Sequence, residues 1–358
     1  MSDDLGPLAA RVPAVLRGAA AYHVPQPPRV LAKLDANELP FPLPAELRAG
    51  LAAALAEVAL ERYPDPRARR LREVVARQLG VAGDRLTFGN GSDELIALLV
   101  AAFAAAPATI LTPAPTFVYY RLAAVARGLP IVEVPLREDF TLDEDGFERA
   151  VAAHRPSVVF LALPNNPTGT LWRPAFAREL AARHPDVVVV SDEAYLAYGG
   201  DTNLAAATAN LVVMRTLSKI GMAGLRVGYT VSSPAVAALL DKVRPPYNLS
   251  ALDQAAAAYL LEHAAAWSAA RAAEIVVARE VLAAELTGLG LVVAPSRANL
   301  LLVRVGPQAA ALWRALADAG VVVRAFGDAG PLAGCLRITI GTPAENALLV
   351  ATLRSALT

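Results

Sequence analysis

Hydrophobic residues in the central part of the chain follow two alternating patterns. From about residue 85 to residue 233, short runs rich in β-branched residues are separated by alanine-rich stretches with helical spacing. Runs that are apolar throughout predict strands buried on both faces, so we expect an α/β domain with a mostly parallel sheet covered by helices. The predicted strands are residues 108–111, 131–136, 157–163, 187–191, 211–214 and 227–231, and the predicted helices lie near residues 92–106, 117–127, 143–153 and 174–183.

The pattern changes after Pro245 and Pro246. Long helical stretches and short strand-like runs then follow one another to the end of the chain, which predicts a smaller α+β domain. The helices are expected at residues 250–287, 307–319 and 343–357, and the strands at 291–293, 299–305, 321–325 and 336–340. We therefore divide the chain into a proline-rich N-terminal arm (1–40), a large domain (41–248) and a small C-terminal domain (249–358).

Composition and charge exclude several classes of partner. Lysine plus arginine and aspartate plus glutamate both number 33, so no basic surface for nucleic acid or an anionic membrane is expected. The longest apolar stretch, residues 95–106, is too short to span a bilayer. The single cysteine, Cys335, excludes an intramolecular disulfide and a cysteine-based metal site, and the four histidines lack metal spacing. No metal is expected, and a reducing, cytoplasmic setting fits.

The segment 215–226 carries the most informative chemistry of the chain. It places Lys219, several hydroxyl groups and Arg226 in a loop directly after an apolar strand. Such a loop can present an amine next to a phosphate-binding cluster. An enzyme that uses pyridoxal 5′-phosphate needs both, a lysine to form a Schiff base and donors to hold the phosphate. A surface lysine after a strand is the alternative interpretation.

Two further strand ends carry polar groups suited to the same cofactor. Asn166 lies in the turn Pro-Asn-Asn-Pro-Thr-Gly, where its amide could donate to a phenolate oxygen, although an ordinary turn would look alike. Asp192 ends a buried strand, where a carboxylate needs a partner such as a protonated pyridine nitrogen. A helix N-cap is the alternative for Asp192. Tyr195 could reach the ring hydroxyl.

Upstream, residues 86–94 combine a strand end, glycines and the Ser92-Asp93 pair at the start of an apolar helix. Free backbone N–H groups at a helix start favour an anion, although any capped helix has a similar sequence. Phe117 could stack on a heteroaromatic ring, or it could be a core residue.

Taken together and in this order, these motifs resemble those of the fold type I aminotransferases, which depend on pyridoxal phosphate. The flanking segments 21–25 (AYHVP), 33–38 (KLDANE), 62–65 (RYPD) and 336–343 (LRITIGTP) are similar to the histidinol-phosphate aminotransferase branch of class II. The resemblance extends from about residue 11 to residue 357. One departure is Leu39, where that branch often has asparagine.

The resemblance implies a role for each matching residue. Lys219, Asp192 and Tyr195 would be catalytic, and Tyr63 would reach the cofactor phosphate of a neighbouring subunit, so a homodimer is expected. The implied cofactor-binding residues are Ser92, Asp93, Phe117, Asn166, Asp192, Tyr195, Thr216, Ser218, Lys219, Arg226 and Tyr63. The implied substrate-binding residues are Tyr22, Asn37, Arg324 and Arg337.

The activity implied by the resemblance is the reaction of L-histidinol phosphate with 2-oxoglutarate to imidazole acetol phosphate and L-glutamate, in histidine biosynthesis. An aromatic amino-acid aminotransferase and a threonine-phosphate decarboxylase would share the cofactor motifs. A ligand-binding protein that has kept the scaffold is a third, non-enzymatic alternative.

Overall fold

The computed structural model describes residues 6–12 and 29–357. Seven strands form a large sheet in the order β2-β8-β7-β6-β5-β3-β4, in which β8 alone runs antiparallel to its neighbours. The strands are β2 (Leu86–Asn90), β3 (Ile110–Ala114), β4 (Ile131–Pro135), β5 (Val158–Ala162), β6 (Val188–Asp192), β7 (Leu211–Thr216) and β8 (Val227–Val231). The six strands predicted from the hydrophobic runs are thereby confirmed, and β3 extends to Ala114.

Helices cover both faces of this sheet, which explains the uninterrupted apolar runs. In β5, Val158 and Phe160 pack into the cluster on one face, whereas Val159 and Leu161 pack into the cluster on the other. The first face is covered by α3 (Gly91–Phe103), α4 (Tyr119–Ala126) and α7 (Pro234–Val243), and the second by α5 (Glu144–His154) and α6 (Pro174–Arg183). The side chains of β5 therefore have apolar neighbours on both faces of the sheet.

A third cluster joins the β2–β8 side of the sheet to three helices. It contains Leu71, Val74 and Val75 of one helix and Leu260 and Leu261 of another, packed against β2 and β8. The helices are α1 (Ala45–Ala56), α2 (Arg69–Leu79) and α8 (Ala251–His263). Helix α9 (Ala265–Gly288) follows α8 with only Ala264 between them.

A second sheet has five strands in the order β1-β11-β12-β10-β9. Its strands are β1 (Ala32–Leu34), β9 (Val292–Val293), β10 (Leu300–Arg304), β11 (Val321–Ala325) and β12 (Cys335–Thr339), and it packs with α9, α10 (Ala309–Asp318) and α11 (Pro343–Leu357). Strand β1 runs parallel to β11, with Ala32 opposite Val321. Part of the segment expected to be an arm thus completes the C-terminal sheet, while the domain boundaries at residues 40 and 248 stay a prediction.

Across residues 6–12 and 29–357, no helix combines the length and apolar character needed to cross a bilayer. The same residues include no group of three or more histidine, cysteine, aspartate or glutamate side chains that could hold a metal ion.

Candidate active site

A cavity of about 440 Å³ lies where the two sheets meet. The large sheet contributes the carboxyl ends of β5, β6 and β7, and the small sheet contributes β11, β12 and the loop after β1. Ligands of open α/β sheets bind at such carboxyl ends. Thirteen of the fifteen residues predicted to form the site line this one cavity: Asn37, Ser92, Asp93, Phe117, Asn166, Asp192, Tyr195, Thr216, Ser218, Lys219, Arg226, Arg324 and Arg337.

Lys219 ends the short 3-10 turn that follows β7, so its amine projects from a strand end into the cavity. Its Nζ donates to the carbonyl of Ala36 at 3.2 Å and lies 5.8 Å from the ring centre of Tyr195. Burial first, and then the nearby charge of Arg337, lower the pKa of Lys219 to about 8. A buried amine whose charged form is disfavoured can act as a nucleophile or a base near neutral pH.

A cluster of groups that could bind an anion lines the same cavity as the amine. Arg226 Nη2 donates to Asp93 Oδ2 at 3.0 Å, and Arg226 Nη1 donates to Ser218 Oγ at 3.3 Å. Thr216 Oγ1 lies 3.0 Å from Ser218 Oγ and donates to it. Ser92 and Asp93 are in the first turn of α3, where backbone N–H groups lack partners within the helix. A guanidinium, hydroxyls and a helix N-terminus are the donors that phosphate prefers.

Two glycines allow these donors to approach each other closely. Gly91 has φ +75°, and a Cβ built there would lie 2.6 Å from Arg226 Nη2. A Cβ at Gly228 would lie 2.9 Å from the backbone N of Ser92. A side chain at Gly91 would therefore press on the Arg226 guanidinium, and one at Gly228 would press on the backbone at the start of α3.

Asp192 is the last residue of β6 and is buried at the floor of the cavity. Its Oδ2 accepts a hydrogen bond of 2.6 Å from the hydroxyl of Tyr120, and its Oδ1 accepts one of 3.0 Å from the N–H of Ala194. Burial raises the pKa of Asp192 to about 6, and these two hydrogen bonds oppose the rise. The carboxylate is thus prepared for a cationic partner.

Hydrogen bonds also fix which atoms of the two cavity asparagines can donate. Asn166 Oδ1 accepts from Arg337 Nη1 at 2.7 Å, so its amide NH₂ is left for another acceptor. Asn37 Oδ1 accepts from the hydroxyl of Thr339, and Asn37 Nδ2 donates to the Tyr195 hydroxyl at 2.8 Å. Because the Tyr195 oxygen accepts from Asn37, its own proton can point to a ligand.

The remaining predicted residues lie at the rim or outside the cavity. Arg324 and Arg337 are directly opposite each other on β11 and β12, and both line the cavity next to the small sheet. Phe117 lies edge-on to Tyr120, with 5.6 Å between the ring centres. Tyr63 is not part of the cavity; it is 81% exposed and stacks on Tyr247. Tyr22 lies outside the described residues.

Comparison with known proteins connects this geometry to a family. Residues 29–353 match the family model for aminotransferase class I and II. The chain belongs to the class I and II aminotransferases. Relatives include histidinol-phosphate aminotransferase 1 of Burkholderia lata, 47% identical over 330 residues (91% of this chain and 92% of the relative), and histidinol-phosphate aminotransferase of Acidovorax sp. strain JS42, 43% identical over an alignment of 363 positions (98% of each).

The solved structures that this aminotransferase is similar to include histidinol-phosphate aminotransferase from Sinorhizobium meliloti in complex with pyridoxal 5′-phosphate. The TM-score is 0.88 at 26% identity, over 97% of this chain and 98% of the other. The predicted fold class, the α/β fold of type I pyridoxal-phosphate enzymes, is confirmed. The predicted cofactor, pyridoxal 5′-phosphate, is confirmed as the cofactor of this family.

The side chains of this aminotransferase fit pyridoxal phosphate on chemical grounds. The cavity has an amine, an anion-binding cluster made tight by Gly91 and Gly228, and a buried carboxylate at the end of β6. Phe117 lines the same cavity with an aromatic ring. The cofactor has one part that matches each of these features. Its aldehyde matches the amine, its phosphate the anion cluster, its ring nitrogen the carboxylate and its ring face the aromatic side chain.

Several lining residues of this aminotransferase were missed by sequence reasoning. Tyr120 is the most consequential, because it contacts both Asp192 and Phe117. A spacing of three residues puts Tyr120 on the same side of a helix as Phe117, which was the available signal. The others are Asp35, Ala36, Val118, Tyr119, Leu122, Ala162, Pro164 and Ala194.

Proposed function

We propose that this aminotransferase moves an amino group from L-histidinol phosphate to 2-oxoglutarate, producing imidazole acetol phosphate and L-glutamate. The observation that carries the proposal is the presence of two separate cationic sites around one low-pKa lysine. Arg226 lies with the hydroxyls and the start of α3, whereas Arg324 and Arg337 lie on the small sheet. One site suits the cofactor phosphate and the other suits the anionic group of each substrate. The similarity to relatives named histidinol-phosphate aminotransferase supports histidinol phosphate as the amine.

Pyridoxal phosphate, when bound, supplies an aldehyde carbon for the substrate amine and a ring that withdraws electrons from it. In this proposal Ser92, Asp93, Thr216, Ser218 and Arg226 hold the phosphate. Asp93 contributes its backbone N–H, and its carboxylate orients Arg226 through their 3.0 Å ion pair. The Asn166 amide and the Tyr195 hydroxyl donate to the ring oxygen, Phe117 stacks on the ring face, and Asp192 pairs with the ring nitrogen.

Lys219 is proposed to carry the covalent attachment and then to move the proton. Because its pKa is about 8, about a tenth of the amine is unprotonated at neutral pH, and this fraction rises with pH. When the Nζ is not attached to the cofactor, it would be able to take a proton from the substrate Cα and to return it to the cofactor carbon that receives the amino group. The Ala36 carbonyl, 3.2 Å away, holds the amine on the side of the small sheet.

Arg337 is proposed to bind the carboxylate of 2-oxoglutarate or glutamate, and Arg324, with Tyr22, the phosphate of histidinol phosphate. Arg337 is kept in place by Asn166 and by the carbonyl of Asp35. The two arginines are cross-strand neighbours, so either anion can be bound in the same part of the cavity. Asn37 is proposed to act on the substrate side through its hydrogen bond to Tyr195.

We also propose that the enzyme is a homodimer in which Tyr63 of the partner subunit contacts the cofactor phosphate. Tyr63 is 81% exposed, outside its own cavity, with Leu60 exposed close by in the sequence and Tyr247 stacked on it. Large exposed apolar side chains of this kind favour burial against a second copy.

A cytoplasmic location is proposed because the single cysteine, Cys335, cannot form an intramolecular disulfide.

The test is formation of glutamate from L-histidinol phosphate and 2-oxoglutarate by the purified holoenzyme. Histidinol without phosphate, phenylalanine and tyrosine serve as competing amines. We expect histidinol phosphate to have the highest kcat/KM, and Arg324→Gln to reduce that preference over histidinol by about tenfold. Arg314→Gln, on the exposed side of α10, is the matched control and should leave the preference unchanged. Faster turnover of phenylalanine or tyrosine, or carbon dioxide release from threonine phosphate without an oxoacid, would contradict the proposal.

A further inference from the structure

Tyr120 is a fully buried tyrosine whose hydroxyl touches a catalytic carboxylate. It is the second residue of α4, and its ring stacks on Phe160 of β5 with 4.6 Å between centres and 8° between planes. This packing leaves the hydroxyl 2.6 Å from Asp192 Oδ2. The ring also meets Phe117 edge-on. Its packing therefore fixes both where the phenol points and what it contacts.

We propose that Tyr120 is a positioning residue that keeps the Asp192 carboxylate ionised and fixes its plane against the ring nitrogen of pyridoxal phosphate. This inference rests on the proposed function, in which Asp192 pairs with that nitrogen. Together with the 3.0 Å bond from the Ala194 N–H, the phenol holds each carboxylate oxygen by one hydrogen bond. With both oxygens held, the carboxylate cannot rotate, and each keeps a lone pair for a cationic N–H group.

The electrostatics explain why such a donor is needed. Burial raises the pKa of Asp192 to about 6, and the hydrogen bond from Tyr120 opposes that rise. The other groups that act on the carboxylate are Asp93 and Glu193, which raise the pKa further, and Tyr195. Burial and the adjacent carboxylate hold the pKa of Tyr120 well above its ordinary value, so the phenol remains a donor at any working pH.

The test compares Tyr120→Phe with the unchanged enzyme, using pyridoxal phosphate and its 1-deaza analogue, in which a C–H group replaces the ring nitrogen. Phenylalanine keeps the stacking on Phe160, and thermal unfolding checks that the variant is folded. We expect the dissociation constant for pyridoxal phosphate to rise about tenfold, and that for the analogue to change less than about twofold. The pH below which kcat/KM falls should move upward, because the Asp192 carboxyl then loses its proton less readily.

Tyr229→Phe is the matched control, because Tyr229 is a buried tyrosine of β8 that does not line the cavity and interacts with Arg215. It should leave both dissociation constants and the pH profile unchanged. If Tyr120→Phe weakens the binding of both cofactors equally, the inference is overturned and Tyr120 acts through packing alone. If the affinity for pyridoxal phosphate does not change, the inference is overturned as well. If the unchanged enzyme binds pyridoxal phosphate but does not transaminate, the proposed function fails while the binding comparison still decides the inference.

Discussion

At the scale of single residues, two effects act in the same direction on the Lys219 amine. Burial removes water from the charged form, and Arg337 adds a repulsive positive charge, whereas Glu38 and Asp93 favour the charged form. The result is a pKa of about 8. At neutral pH about a tenth of the amine is then unprotonated, compared with well under a thousandth at the ordinary lysine pKa.

This balance makes the capture of pyridoxal phosphate by the apoenzyme dependent on pH. We expect the rate of covalent capture, followed by visible absorbance, to rise with pH to a midpoint near the pKa of Lys219, which is about 8. Arg337→Gln removes a charge that disfavours the ammonium form, so the midpoint should move to higher pH. Arg337→Lys keeps the charge and should stay near the unchanged enzyme. A midpoint that falls in Arg337→Gln would contradict this electrostatic account.

Gly91 makes a separate prediction about the phosphate cluster. Alanine at this position is strained by the φ of +75° and would push against Arg226, 2.6 Å from the built Cβ. Gly128→Ala is the matched control, because its φ is +67° but no atom lies within 4 Å of the built Cβ. Both should lower the free energy of unfolding by about 1 kcal/mol. Cofactor titration should show weaker binding, by about tenfold, only in Gly91→Ala; equal affinities would contradict this.

At the scale of elements, the site depends on loops that join neighbouring strand ends. Asn165 connects the loop after β5 to the loop after β3, because its Nδ2 donates to the Pro115 carbonyl at 3.0 Å and its Oδ1 accepts from the Thr116 hydroxyl at 2.6 Å. Its Nδ2 also donates to Thr168 at 2.8 Å. These loops carry Phe117 and Asn166, so one buried asparagine sets the positions of two residues that face the cavity.

Asn165→Ala should therefore reduce both stability and cofactor affinity. We expect a loss of about 2 kcal/mol in the free energy of unfolding, since buried partners are left without hydrogen bonds. Asn210→Ala is the control at a different site: Asn210 donates to the carbonyls of Ala181, His184 and Val187, none of which lines the cavity. It should lose stability but keep its cofactor affinity. Urea unfolding and cofactor titration separate the two effects, and an unchanged affinity in Asn165→Ala would show that the loops are positioned independently.

Local patterns predicted most of the large sheet and the part of the site that it carries. Asp192, Thr216 and Lys219 closely follow apolar runs, so recognising these runs as buried parallel strands placed all three at one edge of the sheet. Strand β1 could not be predicted in this way, because three residues carry no period and their partner in β11 is almost 290 residues away. The orientation of the Asn37 amide depends on Thr339, 302 residues away, and that of the Asn166 amide depends on Arg337, 171 residues away.

At the scale of the whole molecule, the cavity needs both sheets. The anion cluster, Lys219 and Asp192 come from the large sheet, whereas Arg324, Arg337 and the Asp35–Asn37 loop come from the small one. Hydrogen bonds cross between them, from Arg337 to Asn166 and from Asn37 to Tyr195. In the proposed assignment, substrate contacts and cofactor contacts therefore belong to different sheets. A change in how the sheets pack is then expected to alter specificity before it alters cofactor binding.

In the proposed dimer, a residue of a second chain also contributes to each active site. Mixing subunits of two variants tests this contribution. Tyr63→Phe keeps the stacking on Tyr247 but removes the hydroxyl, and Lys219→Ala removes the amine. If Tyr63 serves the partner's site, the mixed dimer has one intact site, made of Lys219 from the first variant and Tyr63 from the second. An equimolar mixture should then recover about a quarter of the unchanged activity at limiting cofactor. A mixture of Ser92→Ala and Lys219→Ala is the control, and it should recover no activity because Ser92 lines the cavity of its own chain. If the mixture with Tyr63→Phe also recovers no activity, Tyr63 does not act across subunits.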